Sequence, residues 1–110
     1  MLKKLLFTLS IFVALSVSAQ TTKTIEIDWT FGSNSNATGA NNNADRTIEV
    51  GDTVIWNWTA SGTHNVHRTG GTSADDFEST FLSTGSSFSH TFTSTGTNNY
   101  QCDPHPGSMF

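Results

Sequence analysis

The 110-residue sequence has one cysteine, Cys102, so no disulfide can form within the chain. Its two prolines, Pro104 and Pro106, both lie in the last nine residues. Cations are scarce: Lys3, Lys4, Lys23, Arg46 and Arg68 stand against nine carboxylates, for a net charge of −4. That balance argues against nucleic acid or an anionic membrane surface as a partner. No segment reaches the roughly 20 apolar residues that a membrane-spanning helix requires.

The first residues differ from the rest. Lys3 and Lys4 precede an apolar run from Leu5 to Val17, and Val17-Ser18-Ala19 supplies small side chains before Gln20. This is the pattern of a secretory signal, with cleavage expected before Gln20. The expected organisation is therefore a signal peptide over 1–19 and one domain over 20–110, periplasmic or secreted and without stable membrane insertion. Losing Lys3 and Lys4 leaves three basic residues against nine acidic ones, a net charge of −6. An acidic, soluble protein of this kind suits electrostatic steering toward a basic partner. The resulting domain of about 91 residues is only marginally able to stabilise its own core without a staple. With disulfides excluded, a metal is the other common staple.

The body of the chain alternates with a period of two. Ile25, Ile27, Trp29 and Phe31 interleave with Glu26, Asp28 and Thr30, as in a half-buried strand. A long loop is expected from Gly32 to Asp45, which has no large apolar residue. Strands are expected over Arg46–Val50 and Thr53–Thr59, joined by a Gly51-Asp52 turn, with Val54, Trp56 and Trp58 on one face. Further strands are expected over Thr63–Arg68, over Ser87–Thr93 with Phe88, His90 and Phe92 on one face, and before Cys102. Phe77 and Phe81 are expected to pin the intervening stretch to the core, and Asp75, Asp76 and Glu78 to form a solvated acidic cluster. No helix of useful length is indicated. Many short strands punctuated by turns predict an all-β Greek-key sandwich or barrel.

The chemistry is concentrated at the end of the chain. Cys102-Asp103-Pro104-His105-Pro106-Gly107-Ser108-Met109 places a thiolate, an imidazole and a thioether in one loop, and its prolines and glycine force the backbone to curl. A fourth ligand has to come from elsewhere. His64 fits best, because period two puts it on one strand face with Val66 and puts His67 on the other. His67 then reads as a surface histidine and His90 as a satisfied or partly buried one. One thiolate, two imidazoles and a weak axial thioether form the donor set of a blue-copper electron-transfer site. Structural zinc would close with four strong ligands instead.

These residues resemble the plastocyanin and azurin group of cupredoxins, and within it the halocyanin-like bacterial and archaeal members. The resemblance rests on Val50-Gly51-Asp52-Thr53-Val54-Ile55-Trp56, on His64-Asn65-Val66, on Phe88-Ser89-His90-Thr91-Phe92 and on the ligand loop. It implies a cupredoxin-like fold and one type 1 copper ion held by His64, Cys102, His105 and Met109. It also implies that Asn65 ties the ligand strand to the ligand loop, and that His105 is the ligand nearest solvent and the port for the electron. Three departures stand out. The His105–Met109 spacing is shorter than is usual in plastocyanins and halocyanins. Asn98 and Gln101 stand where plastocyanins carry tyrosines, so a second electron port is not expected. Family members continue past the methionine into a closing strand, whereas this sequence ends at Phe110, so the sandwich is expected to lack its last strand or to be cut short.

The expected function is a monomeric carrier of single electrons between redox partner proteins, such as a cytochrome or an oxidase, and not an enzyme. Two other readings compete with it: a copper storage or delivery domain, and a cupredoxin module from a larger redox protein. A multicopper oxidase needs more histidine clusters than four histidines can supply, and a CuA domain needs a second cysteine.

Overall fold

The computed structural model describes residues 13–110. The basic end and most of the apolar run of the expected signal therefore lie outside the described residues, while residues 13–19 are exposed and without regular structure. The described chain is all-β, with no helix among the described residues. Accordingly, no helix there is long and apolar enough to cross a membrane.

Strand β1 (Thr24–Trp29) runs parallel to β2 (Thr53–Trp58), in a register that pairs Ile25 with Val54, Ile27 with Trp56 and Trp29 with Trp58. β2 also pairs antiparallel with β6 (Ser87–Thr91), giving a three-stranded sheet ordered β1-β2-β6. Two smaller antiparallel pairs complete the fold: β3 (Thr63–His64) with β5 (Leu82–Ser83), and β4 (His67–Gly70) with β7 (Asn99–Gln101). Alternation buries Ile27, Trp29, Val54, Trp56 and Trp58, which join Val66, Phe77, Phe92, Cys102 and Met109 in one core. Trp56 holds its centre, stacked between Phe77 at 5.6 Å and Phe88 at 5.8 Å and edge-on to Tyr100 at 5.3 Å. Each such aromatic contact adds about 0.5–1.5 kcal/mol beyond area burial.

The parallel β1–β2 pairing requires the long connection over residues 30–52. Asp28 N–H donates to Asn41 O at 2.8 Å and Ala44 N–H to Asn34 O at 3.0 Å, tying this connection down along its length. Gly51 has φ 98°, a left-handed conformation that glycine adopts readily. The buried Asp52 beside it accepts from Glu49 N–H at 2.9 Å and from Lys23 N–H at 2.7 Å. Those two backbone donors hold its carboxyl below the usual carboxylate range.

Four expectations are corrected. Arg46–Val50 forms no strand, because the Glu49 N–H goes to the Asp52 carboxylate instead of a neighbouring strand. Thr63–Arg68 is not one strand but two, because the chain changes pairing partner between β3 and β4. Only Phe77 pins its stretch: Phe81 is 58% exposed, and Leu82 beside it packs on the core in its place. Asp75 is not solvated but buried, with His90 Nε2, Ser73 Oγ, Thr93 Oγ1 and the Thr93 and Ser94 N–H groups around its carboxylate.

Candidate metal centre

The switch from β3 to β4 creates the first half of the site. His64 ends β3, and Asn65 and Val66 cross to the next sheet, leaving all three residues at most 1% exposed. The His64 ring is fixed from behind, with Nε2 2.9 Å from Ser61 O. A carbonyl oxygen only accepts, so Nε2 carries the proton and the Nδ1 lone pair faces the other way.

The second half is the ligand loop after β7. Prolines prevent a ladder there, and the loop folds on itself: His105 N–H donates to Cys102 O at 3.0 Å, Met109 N–H to His105 O at 3.0 Å, and Cys102 N–H to Met109 O at 2.9 Å. Two further bonds dock it on the segment after β1, from Gly32 N–H to Ser108 O and from Phe110 N–H to Ser33 O, both at 3.0 Å. Cys102 and Met109 are completely buried, and His105 is partly exposed.

The two halves meet at three donor atoms. Cys102 Sγ lies 3.6 Å from His64 Nδ1 and 3.5 Å from His105 Nδ1, and the two nitrogens are 3.2 Å apart. Burial pushes the Cys102 thiol up. A buried thiol flanked by two inward-facing imidazole nitrogens is a soft, compact donor set that suits copper. Met109 shares the loop and the core with Cys102. His67 and His90 are turned to carboxylates instead, His67 Nδ1 to Asp103 at 3.0 Å and His90 Nε2 to Asp75 at 3.1 Å.

One family model, that of copper binding proteins, plastocyanin/azurin family, matches residues 28–110. The chain belongs to that family. Copper is the metal of this cupredoxin. Among curated proteins, amicyanin of Paracoccus denitrificans is 37% identical over 60 residues, which is 54% of this chain and 46% of amicyanin. The chain thus spans about half the length of that relative. No solved structure matches it.

In this cupredoxin the two halves of the centre are joined by a reciprocal pair of bonds. Asn65 Nδ2 donates to Asp103 Oδ2 and Asp103 N–H donates to Asn65 Oδ1, both at 2.8 Å. Asp103 also faces His67 and, at 3.3 Å, Gln101 Nε2. The Asn65 bond, then that of His67, holds the Asp103 carboxyl below the usual range, and Asp103 in turn raises His67. Sequence reasoning missed Asp103, although its place directly after Cys102 was a signal. It also missed Phe31, read there as a continuation of β1. The strand ends at Trp29, and the half-exposed Phe31 ring sits edge-on to His64 at 5.0 Å and to His105 at 4.8 Å. Nothing in the alternation of β1 distinguishes that role from a core position.

Proposed function

We propose that this cupredoxin is a one-electron carrier that works outside the cytoplasm, with His64, Cys102 and His105 as the strong ligands of a type 1 copper site and Met109 as its weak axial ligand. The observation that carries the reading is the convergence of Cys102 Sγ, His64 Nδ1 and His105 Nδ1 within 4.8 Å of one another. When bound, copper supplies the Cu(I)/Cu(II) couple. The protein's part is to hold the donors still. His64 is fixed through Ser61, Cys102 and His105 by the folded loop, and the two halves by Asn65 and Asp103. A donor set that serves both oxidation states without rearrangement keeps reorganisation small and transfer fast. No substrate is transformed.

The partly exposed His105 offers the path to solvent, since His64 and Cys102 are fully covered. With the signal over 1–19 removed, the acidic domain over 20–110 would meet basic redox partners as a monomer, steered by charge. The test is to load the purified domain with Cu(II). An intense blue thiolate-to-copper band that bleaches on reduction is expected. A colourless protein, or one that holds only Cu(I), would favour copper storage or delivery and overturn electron transfer.

A further inference from the structure

Three tryptophans lie on the adjacent strands β1 and β2, and all are at most 2% exposed. An indole N–H can only donate, and leaving one buried without an acceptor costs about 1–3 kcal/mol. The three are used differently. Trp58 Nε1 donates to His64 O and Trp29 Nε1 donates to Asn65 O, each at 2.9 Å and each buried. Trp56 Nε1 has no partner among the described residues. Trp29 and Trp58 are the paired last residues of the parallel ladder, so two neighbouring indoles reach two consecutive carbonyls of one segment.

Their own positions are firmly set. Trp58 N–H donates to Ser86 O and Gly85 N–H to Trp58 O, both at 2.9 Å, while Thr59 N–H donates to Trp29 O at 3.1 Å. The Trp29 ring also packs on Tyr100 of β7, the strand that leads to Cys102. The segment they hold is the short crossover between β3 and β4, where the sheet ladders are interrupted.

We propose that Trp29 and Trp58 are positioning residues of the copper site, which clamp the peptide planes on either side of Asn65 through their indole N–H groups. This rests on the reading of His64 as a ligand given above. With both carbonyls fixed, the Cα–Cβ direction of Asn65 is fixed, and that of His64 is fixed by its clamped plane together with the β3 pairing to Leu82. Ser61 then sets the ring of the first, and Asp103 sets the carboxamide of the second. The ladder of β1 and β2 thus determines where Nδ1 of His64 points.

Trp56 provides the internal control. Trp56→Phe removes an indole N–H that reaches neither of these carbonyls, whereas Trp58→Phe and Trp29→Phe remove one aimed at the ligand segment. In the copper-loaded protein, Trp58→Phe and Trp29→Phe are expected to weaken copper binding about tenfold or more and to change the Cu(II) electron paramagnetic resonance spectrum and the reduction potential. Trp56→Phe is expected to leave all three unchanged, whatever it does to thermal stability. Replacing Trp58 by 3-benzothienylalanine, which puts sulfur in place of the N–H at nearly constant volume, should act as Trp58→Phe does and serves if the phenylalanine variant does not fold. Wild-type copper properties in the Trp29 and Trp58 variants, or equal changes in all three, would overturn the clamp. The apo protein keeps this question apart from that of the copper site. There the Val66 amide should exchange with solvent faster, relative to global unfolding, in the Trp58 and Trp29 variants and not in Trp56→Phe. Unchanged exchange would reject the clamp even if the loaded protein is blue, and faster exchange would support it even if the protein is not.

Discussion

Cys102 depends on its neighbours for its chemistry. A fully buried thiol with its pKa raised by burial is a poor nucleophile and a quiet core residue. What distinguishes it is that both atoms closing on Sγ are imidazole nitrogens. Cys102→Ser is therefore expected to abolish the blue band completely, while the apo fold survives, as far-ultraviolet circular dichroism would show. Met109→Leu is expected to keep the colour and raise the reduction potential, because a weak donor that favours Cu(II) is lost. A variant with unchanged spectrum and potential would remove Met109 from the ligand set. At this scale the sequence was informative where chemistry is written in residue type: a thiol, an imidazole and a thioether have few other uses within one short loop. It was silent on Phe31 and on the indole N–H groups, whose roles depend on where a strand ends and on which carbonyl lies opposite.

Elements were legible wherever alternation coincided with burial. Ile27, Trp29, Val54, Trp56 and Trp58 all face inward as period two requires. The same rule failed at His64, Asn65 and Val66, which are all buried because the chain is changing sheets there, so His64 faces the site for a reason other than alternation. Composition failed at Arg46–Val50, whose β-branched residues never find a ladder, and at Asp75, whose acidic neighbours suggested solvent. Asp75 instead joins the stretch before β5 to the end of β6. Burial alone would raise its pKa. The Thr93 and Ser94 N–H groups, then His90 and Ser73, outweigh that and hold the carboxyl far below the usual range. A depressed folded-state pKa stabilises the fold above the unfolded value of about 3.9, and the contribution is lost as pH falls through the folded value. Asp75→Asn is thus expected to cost about 1–3 kcal/mol at neutral pH. It should also flatten the loss of stability below about pH 4, measured by thermal denaturation across that range.

For the whole molecule, the all-β class and the single core could be read from strand spacing and aromatic content, while the sheet partners could not. Parallel pairing of β1 with β2 across a long connection, and two small sheets sharing one continuous stretch of chain, are decided by contacts distant in sequence. A small domain with no disulfide then depends on its metal in proportion to how tightly it binds. Copper at a hundred times its dissociation constant should stabilise the fold by about 2.7 kcal/mol. That corresponds to a rise in melting temperature of several degrees, which Cys102→Ser should eliminate.

Copper-edge X-ray absorption of the loaded domain, recorded in both oxidation states, tests the centre most directly. One short Cu–S and two Cu–N scatterers are expected, with distances that barely change on reduction. A shell without sulfur, or one that gains or loses ligands when the electron arrives, would contradict a type 1 site built on Cys102, His64 and His105.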